Sequence, residues 1–252
     1  AGSITALAYA DKLVQAPLII FSGAIATAIY PFLSAQAAEN KLEDIRQTIS
    51  LSVRMSGFIF IPLTVTMMIL AKPAIQLLFQ RGAFDAAATE LTSKILVFSC
   101  LQLFPICAGA IMLRLLFAFQ DLVSLLKVTL ISLTLNIILN FIFMNLLNPP
   151  ACGIALSTAA SSVISAILYF VILKRRISNL HGLTILRSLS KMALFSVVSG
   201  LAVFLAYSGM RGIFQDTVFS RAATLVAAGS AGALVFLALS AFFRLEEYLK
   251  VY

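Results

Sequence analysis

From Val14 to Tyr30 no side chain carries a charge. Six further stretches repeat this pattern, so that apolar runs cover approximately 9–31, 51–71, 95–113, 128–147, 153–173, 192–209 and 222–243. The hydrocarbon core of a bilayer takes about 20 apolar residues per helix. Only structures that satisfy their own backbone N–H and C=O groups persist there, because no water is available to do so. Strands of a barrel would alternate polar and apolar over about ten residues; these runs are solid and longer. With 11% charged residues, against roughly 25% in soluble domains, the chain is predicted to be an all-α, polytopic membrane helix bundle of about seven spans.

The separators are polar loops: AENKLEDIRQ, AKPAIQLLFQRGAFDAAATELTSK, RLLFAFQDLVSLLK, NPPACG, KRRISNLHGLTILRSLSK and GMRGIFQDTVFSR. The second and fifth are long enough for short interfacial helices. Lys and Arg divide unevenly between the two sides. The first, third and fifth loops with the tail (including Arg244 and Lys250) hold twelve of the 18, and the opposite side holds six. An excess of Lys and Arg marks cytoplasmic loops, which predicts a cytoplasmic C-terminus and an outside N-terminus. The net charge of +8 is read in this way. No basic run interleaved with aromatics suggests nucleic acid as a partner. The chain opens Ala1-Gly2-Ser3, without Met, and an outside start needs an odd number of spans upstream; a cut or processed start is expected.

No hydrolase triad, HExxH, phosphate loop or dinucleotide fingerprint is present, so nothing argues for an enzyme. Cys100, Cys107 and Cys152 are odd in number, lie in or beside apolar runs and have no CxxC spacing. They read as core thiols, with no metal site. His181 sits in a basic loop and reads as solvated. Ionisable groups at membrane depth are more informative, since each costs about 2.5–3.5 kcal/mol or more there. Asp11 and Lys12 stand at the opening of the first run. Neighbours on a helix point about 100° apart and do not face each other, so Lys12 either snorkels to the outer surface or offers a cation to a central cavity and an anionic substrate. Pro17 follows five residues later and predicts a kink in the helix. Arg54 and Arg114 fall at the inner ends of the second and third runs. They reach inner-leaflet phosphates or form an access site for a phosphate-bearing lipid. Lys174, Arg175 and Arg176 form a stop-transfer cluster. Thr129, Ser132, Asn136 and Asn140 follow helical spacing on the fourth run, and Ser157, Ser161 and Ser165 on the fifth. These stripes either bond the two helices together or line a cavity or monovalent cation site, to which Asn136, Asn140, Ser157 and Thr158 would give neutral oxygens. Ala228, Gly229 and Gly232 form a small-residue face for close packing on the last run.

Several blocks, in order over residues 3–176, resemble the second half of the MurJ (MviN) lipid II flippase family. They are ALAYADKLVQAPLIIFSGAIATAIYPFLS, LLFQRGAFDAAATELTSKIL, RLLFAFQD and GIALSTAASSVISAILYFVILKRR. The last two spans fit by position alone. The resemblance implies one lobe plus two extra helices of a fourteen-helix transporter in the bacterial inner membrane. Residues 1–176 would be the second lobe (five spans, incomplete without an upstream helix), and 177–252 would add two spans and a short cytoplasmic tail. It also implies alternating access and movement of an undecaprenyl-pyrophosphate-linked peptidoglycan precursor from inner to outer leaflet. The partners would be the lipid-linked oligosaccharide substrate, membrane lipids and the missing N-terminal lobe. No cofactor is implied, with a monovalent coupling cation as the open alternative. The resemblance places the family's cavity arginine of this helix on Lys12 and the arginine that opens its RLLFAFQD-like block on Arg114. Lysine there keeps the charge but loses the two-pronged guanidinium geometry. The family's proline-bearing turn after "QD" is replaced by LVSLLK. A related exporter of drugs or lipid-linked polysaccharides and an inactive half-length remnant are the alternative functions.

Overall fold

A computed structural model describes residues 2–82, 84–178, 180–211 and 218–243, apart from the side chains of Ala26 and Arg211. The expected tail with Arg244 and Lys250 lies outside the described residues. The helices are α1 (Gly2–Pro17), α2 (Gly23–Ala38), α3 (Leu42–Ile69), α4 (Ala71–Phe79), α5 (Ala86–Cys100), α6 (Leu103–Ala118), α7 (Leu122–Leu146), α8 (Pro150–Ile177), α9 (Gly182–Arg211) and α10 (Val218–Phe242). They form seven segments long and apolar enough to cross a membrane, one for each predicted run. Most of the side chains that face outward from α7, including Leu130, Leu133, Ile137 and Phe141, are large and apolar, as a lipid-facing surface requires.

Prolines interrupt two spans. Pro17 has no N–H to donate and its ring crowds the preceding turn. A π-helical turn, Leu18–Ser22, follows it directly, with Gly23 N–H bonded to the Leu18 carbonyl. Where a kink is expected at Pro17, the structure has a widened turn between α1 and α2. Pro105 acts in the same way on the third span. It cannot donate to the Leu101 carbonyl, and the expected continuous helix is divided at Leu101 and Gln102.

The long second loop carries a short helix, α4, as expected. The fifth loop does not: α9 already begins at Gly182, and its first turns occupy the stretch read as a loop. Ile185, Leu189 and Met192 repeat at helical spacing and face inward, while Arg187 and Lys191 face outward. The apolar face therefore continues past the charges that ended the hydropathy run. Arg46 closes the junction from α3. Its Nε and Nη2 donate to the Ile177 carbonyl at 3.1 and 2.6 Å, satisfying an acceptor that the end of α8 would leave open. His181 is not a solvated bystander. Its Nε2 lies 3.5 Å from Glu43 Oε1, and Glu43 also holds Arg46 at 2.7 Å.

The RLLFAFQD block ends α6 and starts α7. Gln120 takes a left-handed backbone, φ 56°. Asp121 accepts from Ser124 N–H at 3.0 Å and Ser124 Oγ at 2.8 Å, so it caps α7 without the family's proline. Arg176, part of the expected stop-transfer cluster, also pairs with Asp121 at 2.7 Å and lies 4.7 Å from the Phe119 ring centroid. The Ser124 backbone and side-chain hydrogen bonds, then Arg176, hold the Asp121 carboxyl below its ordinary range. A lowered folded pKa adds stability that is present above the unfolded value of about 3.9 and is lost as pH falls through the folded value. We expect Asp121→Asn to flatten the acid limb of the unfolding curve below about pH 4. Thermal unfolding of both proteins across that range checks this, and superimposable acid limbs would refute it.

The main core draws on α1 to α6 and α8, with Leu180 and Ile185 joining it from beyond α8. Two smaller clusters hold α9 and α10: Met192, Phe195 and Phe236 in one, Leu70, Val203 and Ala228 in the other. Gly57 of α3 lies beneath Leu189, and Gly200 of α9 lies against Val65. Gly232 meets Val203, and Ala228 is fully buried, whereas Gly229 faces open space. The small-residue face of the last span is thus a packing face at Ala228 and Gly232.

Candidate functional site

The first span carries the ionisable pair of interest. Asp11 is half-buried and Lys12 exposed on α1, and no ion pair joins them, as the 100° offset requires. Lys12 Nζ stands 5.8 Å from the centroid of Tyr9, one turn earlier. Tyr9 in turn packs on the second loop, with ring centroids 4.5 Å from Phe79 and 5.7 Å from Phe84, the latter edge-on.

The RGAFD block explains how that loop reaches α1. Gly82 adopts a left-handed φ of 57°, a conformation open to glycine without strain. Asp85 then caps α5 by accepting from Ala88 N–H at 2.8 Å. Between them Phe84 is turned in against Tyr9 and Phe79. Glu90 ties the same region together through Lys72 at 2.7 Å and Lys94 at 3.4 Å. Sequence reading missed this aromatic trio; the glycine followed by Phe and a capping Asp is the signal that could have found it.

The other candidates lie apart. Arg54 is 6% exposed on α3, so it does not snorkel outward. It lines a cavity of about 380 Å3 with Gln47, Thr48, Ser50, His181 and Thr184. Arg114 is half-buried on α6 and lines neither that cavity nor the groove beside Tyr9. Among the described residues, no hydrogen bond or ion pair holds its guanidinium.

The two polar stripes meet, because NPPACG returns α8 directly onto α7. Ser132 and Ser165 hydroxyls are 2.6 Å apart. Asn136 Nδ2 donates to Ser161 Oγ at 3.3 Å, Asn140 Nδ2 donates to Asn136 Oδ1 at 3.0 Å, and Ser157 Oγ donates to Asn140 Oδ1. Thr158 turns back to the Ile154 carbonyl at 3.0 Å. The amide oxygens of Asn136 and Asn140 are thus engaged within the pair, the arrangement expected of interhelical bonding.

The sequence profile of the family described as lipid II flippase MurJ matches residues 1–240. A probable lipid II flippase MurJ of Vibrio cholerae is 32% identical over 169 residues, covering 67% of this chain and 32% of that protein. Its counterpart in Rhizobium tropici is 26% identical over 243 residues, 96% of this chain and 44% of that protein. A solved structure of lipid II flippase MurJ in an inward closed conformation has the same fold, with a TM-score of 0.76 at 24% identity over 96% of this chain and 47% of that one. The chain spans less than half the length of these relatives.

Proposed function

We propose a function from one premise: this chain belongs to the lipid II flippase MurJ family, and is a multi-pass inner-membrane protein. In our reading it is one part of a transporter, not a catalyst. That transporter carries an undecaprenyl-pyrophosphate-linked peptidoglycan precursor from inner to outer leaflet by alternating access. Residues 1–176 act as the second lobe and 177–252 as two added spans. The N-terminus of the chain lies outside and the C-terminus inside, in keeping with the twelve-to-six division of Lys and Arg. The first lobe is its partner.

The observation that carries this reading is Lys12. It is an exposed cation on α1, beside Asp11 and just ahead of a run that is uncharged from Val14 to Tyr30. A charge at membrane depth is retained where it has a partner, and a pyrophosphate is a fitting one. In this reading the opposite lobe shields the polar headgroup while the prenyl tail stays in lipid. Asp11, one position away, sets the charge balance around Lys12, and Arg54 and Arg114 receive phosphate on the inner side. Asn136, Asn140, Ser157 and Thr158 hold α7 to α8. A monovalent coupling cation would have to displace their mutual bonds.

The test is complementation. In cells depleted of their own flippase, the complete protein carrying this sequence should restore exposure of the precursor at the outer leaflet, read as its accessibility to an externally added enzyme. Normal membrane levels of that protein with the precursor still confined to the inner leaflet would refute the proposal.

A further inference from the structure

Beside Tyr9 the second loop leaves an open groove of about 590 Å3, lined by Thr5, Tyr9, Leu78, Phe79, Arg81 and Phe84. We propose that this groove is a saccharide subsite, which receives the sugar of the cargo as it reaches the outer face; it rests on the reading of the chain as part of a flippase for a lipid-linked oligosaccharide.

The chemistry of the lining is the first argument. The faces of Tyr9, Phe79 and Phe84 are electron-rich, and the C–H groups of a pyranose ring are polarised by its oxygens, so the two attract when stacked. Sugars also need hydrogen-bonding partners at their rim. Arg81 is exposed, with Nη2 donating to the Leu78 carbonyl at 2.8 Å, which leaves its other N–H groups to point elsewhere. Thr5 adds a hydroxyl to the lining. An aliphatic lining would suit a lipid tail; rings with donors beside them suit a sugar.

The second argument is spacing. Tyr9 lines the groove and also carries Lys12 Nζ 5.8 Å from its ring centroid. A glycosyl pyrophosphate presents a sugar ring and an anion bonded directly to each other. A stacking platform with a cation one helical turn away offers the same pair of features at adjoining positions. The groove is also built to last: Gly82 and the Asp85 cap set the loop, and the three rings brace one another.

The experiment titrates the full chain in lipid nanodiscs with the neutral disaccharide N,N′-diacetylchitobiose, following saturation-transfer difference NMR. Saturable binding is expected, weakened about tenfold or more by Phe84→Leu or Tyr9→Leu and severalfold by Arg81→Met. Because Arg81 is exposed, Arg81→Met decides if the aromatic variants fail to fold. Gly229→Ala, outside the groove lining and with nothing within 4 Å of its added Cβ, should leave binding unchanged. Absence of saturable binding, or binding that Arg81→Met and Phe84→Leu do not weaken, overturns the proposal and makes the rings a membrane-surface belt only. Transport by the complete protein without disaccharide binding overturns the subsite alone. Variant-sensitive binding without transport overturns the flippase reading and keeps the subsite.

Discussion

Lys12→Ala, made in the complete protein carrying this sequence, is expected to reduce flipping of a pyrophosphate-linked precursor to background, while Lys12→Arg retains or improves it. Removing one partner of a desolvated, hydrogen-bonded charge pair costs about 2–5 kcal/mol, on the order of 30- to 5000-fold in an equilibrium. The loss should fall on binding, because the attraction is present whenever the anion occupies the cavity. Arg keeps the charge and adds the fork that matches phosphate oxygens. A rate assay in proteoliposomes reads both variants. Wild-type flipping by Lys12→Ala would end the assignment of this lysine to the cargo. The effect should also weaken at high salt if the site stays open to water in one of its states.

Gly153→Leu is expected to break the α7–α8 pair. A Cβ at Gly153 would overlap the backbone carbonyl of Phe143 on α7, and backbone cannot swing aside as a side-chain tip can. Overpacking of this kind typically costs about 1–3 kcal/mol, and the larger Leu should exceed what Gly153→Ala does. Separating the helices would also strand the Asn136, Asn140, Ser157 and Ser161 ladder, whose bonds have no water to replace them. Unfolding in a mixed-micelle denaturant titration, followed by circular dichroism, checks the loss. Gly229→Ala is the control: its Cβ meets nothing within 4 Å, and alanine is the better helix former by about 1 kcal/mol. It should be neutral or stabilising. Equal behaviour of the two variants would remove the close-packing account.

The seven spans and the helical class were legible in the residues, because hydrocarbon thickness and backbone satisfaction leave a long apolar run only one regular form. The Ser and Asn stripes were legible for a related reason: with only NPPACG between them, two polar faces at helical spacing had to meet. Asp11, Lys12, Arg54 and Arg114 could be named as charges at membrane depth, but their surroundings could not. Whether Arg54 snorkels or is enclosed depends on α9 and the His181 junction, which bring a cavity to it from more than a hundred residues away. The start of α9 inside the fifth loop was hidden by Arg187 and Lys191, which lower local hydropathy without interrupting the helical face of Ile185, Leu189 and Met192.

What the residues determined alone is therefore the set of helices, their approximate lengths and the pairing of α7 with α8, all of which follow from local hydropathy, period and short connections. What only the tertiary structure decided is which side chains share a site. The trio of Tyr9, Phe79 and Phe84 joins positions some seventy residues apart, and Arg46 caps a helix 131 residues further along the chain. No period or composition encodes such meetings, because they arise from where one helix surface lands on another.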